Sequence, residues 1–265
     1  MGSATREALA SSRTALAAGD SVADLATGES LFNAARVIGT SPQLLAAMAD
    51  ASADAAAKAA LVTRVFGTSV TPGALRLLQT VAAERWSNSG DLLAGLEDLG
   101  LRTVAASAPA GTSIEDELFS FGVAVSSDDA LELALASKLG PTEAKAALVE
   151  SLLAGKVSPQ TLAIVRHLVL QPRGRRIGEL LRHAAAVVAD QAGYAVATVT
   201  SATPLSTPQL DRLKQGLANK YGRQLSLNLV IDPTLVGGVR VQIGDDVIDG
   251  SVASRLNDLR IQLAG

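Results

Sequence analysis

Residue types that commonly do chemistry are sparse here, and their spacing is wrong for it. His167 and His183 are the chain's two histidines. They lack the His-Glu-x-x-His spacing that sets two imidazoles on one helix face around zinc, so they read as ordinary helix residues. Asp245, Asp246 and Asp249 gather carboxylates near the C-terminus. Their spacing departs from the calcium-loop pattern at its third position, and turn residues are the better account. Gly155-Lys156 is followed by valine and has no glycine at the earlier position that a phosphate loop requires, and no dinucleotide fingerprint is present. No serine sits in a nucleophile-elbow setting. Without cysteine there is no disulfide framework and no thiolate metal site. Arg173, Arg175, Arg176 and Arg182 form the densest basic cluster, open to an acidic partner surface, to phosphate, or to plain solvation at a helix start. No catalytic residue, cofactor or metal ligand is expected, which points to work done by contact.

Composition narrows the kind of contact. A formal net charge of −3 argues against general nucleic-acid binding, which needs a basic footprint to release counterions. Arginine outnumbers lysine, and beside so much alanine this reflects coding bias more than phosphate binding. The first 25 residues mix charged and small side chains without the apolar core of a signal peptide. No stretch approaches the roughly 18 uninterrupted apolar residues of a membrane span. Any membrane association is therefore expected through a partner.

The elements begin with a repeat. Leu31-Phe32 returns as Leu118-Phe119, Leu44 as Leu131, Lys58-Ala59-Ala60-Leu61-Val62 as Lys145-Ala146-Ala147-Leu148-Val149, Pro72 as Pro159 and Leu75 as Leu162, all at the single offset that separates Leu31 from Leu118. Alanine richness alone does not put a five-residue block in register with flanking Leu and Pro pairs, so a helical domain has been duplicated. Thr71-Pro72 and Ser158-Pro159 read as an N-cap followed by proline in the first turn, where its missing donor does no harm. Leu75, Leu78 and Ala82, like Leu162, Val165 and Val169, follow at spacings of three and four on one helix face. Ser41-Pro42 starts another helix in the same way. The segment from Asp91 to Ala106 closes the first bundle and also aligns, at the same offset, with the opening helix from Ala4 to Gly19, so it is expected to serve both bundles. Ala108 to Gly111 is the hinge candidate between them.

The C-terminal region changes period. Tyr194, Val196, Thr198 and Thr200 alternate as a strand, and Leu210, Leu213 and Leu217 mark a helix started by Pro204-Leu205-Ser206. Leu225, Leu227, Leu229 and Ile231 alternate as a half-buried strand that Asp232 and Pro233 stop. Gly237 and Gly238, leading into Val239, Val241 and Ile243, suggest a bulge or a close backbone approach. Gly244, Asp245 and Asp246 reverse the chain before Val247 and Ile248. After Asp249 and Gly250, Ser251 is placed to cap a helix carrying Val252, Leu256, Leu259 and Leu263 on one face.

The order Ser201-Ala202, Pro204-Leu205-Ser206, Gln209, Leu213, Asp232-Pro233, Leu235, Gly237-Gly238, Gly244-Asp245, Ile248-Asp249-Gly250-Ser251 resembles, in sequence and spacing, the C-terminal pattern of the delta subunit of F-type ATP synthases, the oligomycin-sensitivity-conferring protein family. The resemblance covers about 114–263. It implies a six-helix bundle and a small α/β domain, and a family signature at Asp232, Pro233, Gly237, Gly238, Gly244, Asp249, Gly250 and Ser251. The chain as a whole is then mostly α, an α+β protein with two tandem short-helix bundles at 1–105 and 106–192 and a small α/β domain at 193–265. The extra bundle is the departure from the family pattern, and it leaves open which copy carries the family's head-binding role. The resemblance further implies a non-catalytic stator subunit of the peripheral stalk, coupling proton transport to ATP synthesis, peripheral on the cytoplasmic side of the cell membrane. Its implied partners are the N-terminal helices of the alpha subunits and the C-terminus of the b subunit, in a protein hetero-oligomer without nucleic acid. The competing expectation is a free-standing helical scaffold or regulator with a delta-like C-terminal domain.

Overall fold

The computed structural model describes residues 2–18, 23–136, 141–244, 246–252 and 254. Its elements run α1 (Ser3–Ala17), α2 (Leu25–Thr40), α3 (Pro42–Ala49), α4 (Ala55–Phe66), α5 (Pro72–Ala83), α6 (Ser89–Ala106), α7 (Ile114–Ser126), α8 (Asp129–Ala136), α9 (Thr142–Leu153), α10 (Pro159–Leu170), α11 (Ile177–Gln191), β1 (Tyr194–Ser201), α12 (Thr207–Tyr221), β2 (Gln224–Ile231), β3 (Val239–Ile243) and β4 (Asp246–Asp249). The protein is mostly helical with a small α/β part. Met1–Val188 and Ala189–Gly265 are its two compact units.

Local chemistry sets the helix starts. Thr71 and Ser158 accept a hydrogen bond from the backbone of Ala74 and Thr161, each at 3.2 Å, with Pro72 and Pro159 in the first turn. Asp24, Ser41, Asp54 and Asn88 cap α2, α3, α4 and α6 in the same manner. Each cap satisfies an orphan N–H and is worth about 1 kcal/mol. The two lysines of the duplicated block also share a habit. Lys58 Nζ donates to the Glu84 carbonyl and Lys145 Nζ to that of Leu135.

The duplication continues past the matching residues into the helix order. Helices α3, α4 and α5 begin at Pro42, Ala55 and Pro72, and α8, α9 and α10 begin at Asp129, Thr142 and Pro159, the same offset later. Shifted by one repeat, α1 falls on α6 and α6 on α11. One helix thus ends the first six-helix set and opens the second. Packing agrees with this double membership. Leu92, Leu96 and Leu99 of α6 lie in a core with Leu31, Ile38, Met48, Leu77 and Leu78, whereas Leu101 and Val104 lie in another with Ile114, Leu118, Ile164 and Leu168.

Serving two cores leaves α6 no solvent face through its middle, where every residue from Gly95 to Val104 is buried. Small residues make the crowding possible. A Cβ at Gly100 would stand 2.6 Å from the Phe32 ring, and one at Gly28 of α2 would stand 2.4 Å from Val104. Helices α2 and α6 therefore meet at a backbone distance that only glycine allows, with Phe32 filling the notch over Gly100.

In the C-terminal unit the strand order is β2-β1-β3-β4. β1 pairs with β2 in parallel from Tyr194↔Gln224 to Ser201↔Ile231, α12 making the crossover, while β3 runs antiparallel to both β1 and β4. Helix α12 starts with a capping box between Ser206 and Gln209 and ends at Gly222 in the left-handed region. Its Leu213 and Leu217 pack with Ala197, Val199, Leu225 and Val241. Cover along β2 is uneven. Leu225 is buried, but Leu229 and Ile231 are 44% and 54% exposed, so the alternating face is covered only over its first half.

Gly100→Val tests the shared helix. The added atoms must displace Phe32, and overpacking of this kind costs roughly 1–3 kcal/mol. Thermal melting followed by circular dichroism is expected to show a drop of several degrees, and an unchanged midpoint contradicts the close α2–α6 approach.

Candidate docking surfaces

Among the described residues, no group of three or more His, Cys, Asp or Glu side chains is arranged to hold a metal ion. What the fold does build is a joint between helices and a set of turns at one end of the sheet.

The joint centres on Glu97 of α6, which is buried at 2% exposure. Its carboxylate accepts hydrogen bonds from Arg175 Nη2 at 2.7 and 2.8 Å and from Arg173 Nη2, both arginines lying between α10 and α11. His167 of α10 stands with Nε2 3.8 Å from the same carboxylate, beyond hydrogen-bond range, and stacks on Phe32 at 4.0 Å between ring centroids. Burial pushes the Glu97 carboxyl up, but the guanidiniums of Arg173 and Arg175 outweigh it and hold the group at about 2. Burial also lowers His167, against the pull of Glu97. The imidazole is therefore neutral near pH 7, and the two guanidiniums supply the counter-charge. Gln171 Nε2 completes the contact by donating to the Ala35 carbonyl of α2 at 3.2 Å. Beside it, Asp98 accepts from Arg102 at 2.8 Å and from Arg13 of α1 at 3.0 Å.

Of the four arginines of the cluster, Arg176 and Arg182 are exposed, whereas Arg173 and Arg175 find an acid inside the chain at Glu97. No sequence pattern marks Glu97 as their partner, because the ion pair closes across a whole repeat. His167 is a packed aromatic surface.

The signature residues occupy connections. β1 lies between β2 and β3, so the chain leaving β2 has to pass over the end of β1, about 10 Å across two strand spacings. Asp232 starts the passage. Its N–H donates to the Ser201 carbonyl at the end of β1 at 2.9 Å, and its carboxylate accepts from the Thr234 hydroxyl and backbone at 2.7 and 2.9 Å. Those Thr234 hydrogen bonds hold the Asp232 carboxyl below its usual range. Pro233 follows in the turn. Gly237 and Gly238 both have positive φ, 66° and 79°. A Cβ on Gly238 would stand 2.5 Å from the Gly250 carbonyl and 2.9 Å from Ser251 Cα. Of the two expectations for this pair, the structure shows close backbone approach.

The far side of that approach is the rest of the signature. Gly250 N–H donates to the Val239 carbonyl at 2.9 Å, and Val252 N–H to that of Gly237 at 3.3 Å. Asp249 accepts from the Ser251 backbone at 2.9 Å, and hydrogen bonding to Ser251 lowers its carboxyl. Ser251 is buried and its hydroxyl oxygen accepts from Ser254 N–H at 3.2 Å, the N-cap geometry expected of it. Gly244, at φ 57°, turns β3 into β4. Asp245 and the expected helix positions Leu256, Leu259 and Leu263 lie outside the described residues. Seven of the eight residues therefore lie where the β2–β3 passage meets the chain leaving β4, and Gly244 turns β3 into β4.

Apolar side chains stand exposed on both units. On the C-terminal unit Leu229, Ile231 and Val236 project from the uncovered end of β2 and the turn after it. A groove of 280 Å³ lined by Leu210, Asp211, Lys214, Ser226, Leu227 and Leu229 runs between α12 and β2. On the helical unit Val37, Val65, Val123 and Leu133 are exposed.

Comparison with known proteins places these features in one family. A family profile described as "ATP synthase delta (OSCP) subunit" matches residues 101–263. The ATP synthase subunit delta of Leifsonia xyli subsp. xyli (strain CTCB07) is 57% identical over 100% of both chains. That of Kineococcus radiotolerans is 41% identical over 90% of this chain and 88% of its own. That of Streptomyces griseus subsp. griseus is 39% identical over 100% of both. The first bundle is thus shared with full-length relatives although the family profile begins only at residue 101, within α6.

Two expectations follow from these geometries. Gly238→Val puts a β-branched residue at positive φ against the Gly250 carbonyl and is expected to destabilise the C-terminal unit by roughly 2–4 kcal/mol; an unchanged denaturation midpoint refutes the close approach. Acid is expected to weaken the helical joint in two stages. His167 is lowered from 6.5 by burial, so the unfolded chain takes up a proton first as pH falls below that value. Glu97, lowered from 4.5 to about 2, adds a loss across that lower window. Melting temperatures taken from pH 7.5 down to 3 should therefore be flat, then fall, then fall more steeply, and a constant value throughout excludes the joint as described.

Proposed function

The chain belongs to the ATP synthase delta (OSCP) subunit family, and from that premise we propose that it bridges the N-terminal helices of the alpha subunits in the catalytic head and the C-terminus of the b subunit. It is a non-catalytic subunit of the complex, a component of the peripheral stalk in a hetero-oligomer with other subunits, and it serves ATP synthesis by holding the head against rotation. Among the described residues no helix is long and apolar enough to cross a membrane. The protein is peripheral and meets the membrane through the complex. That it does so on the cytoplasmic face is part of the proposal.

One observation carries the assignment: the family match spans the second bundle and the whole signature, and a full-length relative aligns end to end. The geometry supports a mechanical role. A connector needs surfaces that receive partner helices, and short alanine-rich helices leave shallow apolar grooves of that kind. It also needs a long-lived joint, and nanomolar binding corresponds to roughly −12 kcal/mol. On the C-terminal unit, the groove beside Leu227 and Leu229 and the exposed Ile231 and Val236 offer apolar surface for the C-terminus of the b subunit. The signature turns fix the end of the sheet from which these side chains project.

Affinity purification of the tagged chain from detergent-solubilised membranes is expected to recover the alpha, beta, gamma and b subunits together. Recovery of the chain without them contradicts the proposal and favours a free-standing scaffold or regulator.

A further inference from the structure

The sheet has two outer strands, and the sequence guards one of them. In the order β2-β1-β3-β4, β2 and β4 each leave one side without a neighbouring strand among the described residues. Such a side is a row of unpaired N–H and C=O groups that templates pairing with another chain, and natural edges are blunted by shortness, charge, proline or a bulge. β4 is blunted: it is 4 residues long, with Asp246 and Asp249 at its ends. β2 has none of these devices. It runs for 8 residues without a charged side chain or a proline, and its register with β1 is unbroken from Tyr194↔Gln224 to Ser201↔Ile231.

The side chains along that edge add a second feature. Leu225, Leu227, Leu229 and Ile231 share the face that carries α12, where Leu225 is buried and Leu227 packs against the core. Leu229 and Ile231 stand exposed, so the half of the strand that ends at Ile231 lacks cover. The groove between α12 and β2 is also lined by one acid and one base, Asp211 and Lys214.

A second copy of the same edge is complementary to all of this. When two antiparallel β2 strands are related by a two-fold axis, the axis stands normal to the joined sheet, and each residue faces one of the same parity. Every position on the α12 face then meets another position on that face. With Asn228 on the axis, Leu227 stands opposite Leu229 of the second copy, and Leu225 opposite its Ile231. The bare half of each strand lies beside the covered half of the other, and each copy brings one charge of either sign to the seam through Asp211 and Lys214.

We propose that the chain, when it is not assembled with its complex, forms a closed dimer through β2 that joins two four-stranded sheets into one. Growth stops at two chains because the outer strand left at each end is β4, the guarded one. The inference stands on the edge itself and not on the contact with b proposed above. It does make the two mutually exclusive, since both use Leu227, Leu229 and Ile231. A chain outside the complex thereby keeps its edge paired until a partner takes its place.

Sedimentation velocity of the purified full chain tests this at concentrations up to about 1 mM, where even a millimolar contact is well populated. The mass is expected to rise with concentration from the 27.0 kDa of one chain to that of two, and to stop there. Leu229→Lys and Ile231→Lys each put a charge on an exposed position of the β2 edge. Either is expected to leave thermal melting unchanged and to weaken the dimer by about tenfold or more, as at an interface hot spot. Val247→Lys, at an exposed position of β4, should pair like the unmodified chain. A chain that stays single at every concentration overturns the proposal and leaves the edge to an extended segment of a different protein. Growth past two chains overturns it as well, as does a dimer that survives both β2 variants or is lost with Val247→Lys.

Discussion

A helix with no solvent-facing side through its middle has to satisfy what it carries there from within the protein, and α6 is such a helix. Its apolar residues divide between two cores, its glycine at position 100 admits the ring of Phe32, and its buried carboxylate at Glu97 has to find positive charge. An isolated carboxylate in that setting costs several kcal/mol even after relaxation. Arg173 and Arg175 offset the cost from the far repeat. Removing one side of such a pair typically destabilises by 3–5 kcal/mol, whereas replacing the whole set by apolar residues is often neutral. The network therefore specifies how the two bundles meet more than it adds to their stability.

Geometry of this sort suits a part that transmits force. The two helical sets share a helix, where tandem domains on a linker would share only a tether. The 87-residue offset from Leu31 to Leu118 that relates the sequences also relates the helices. A duplication that reused its boundary helix lengthened the molecule without adding a hinge at α6. In the C-terminal unit, stiffness has a different source. Hydrogen bonds from Asp232, Gly250 and Val252 and the packed backbone at Gly238 lace together the connections at one end of a small sheet.

Much of this was legible in the residues because it is local. Thr71-Pro72 and Ser158-Pro159 announce helix starts through capping chemistry, and the alternation around β1 and β2 announces strands. The pairing of Asp91–Ala106 with the opening helix already implied one helix with two duties. Turn chemistry likewise placed the signature residues, since a glycine pair after Asp-Pro has few other uses. What stayed hidden depends on distance along the chain. Nothing near Glu97 says that Arg173 will neutralise it, and the arginine cluster looked like a surface. Exposure at Leu229 and Ile231 was invisible for a related reason: alternation reports which face a residue is on, whereas cover depends on where α12 lies.

If the protein is a stator connector, its removal separates two activities that the intact machine joins. The most direct measurement is made on membranes stripped of this subunit and then resupplied with it, following ATP hydrolysis and ATP-driven proton pumping side by side. The account predicts that stripped membranes lose proton pumping while the released head still hydrolyses ATP, and that adding back the purified chain restores the coupling. Full proton pumping by membranes shown to lack the chain would contradict it.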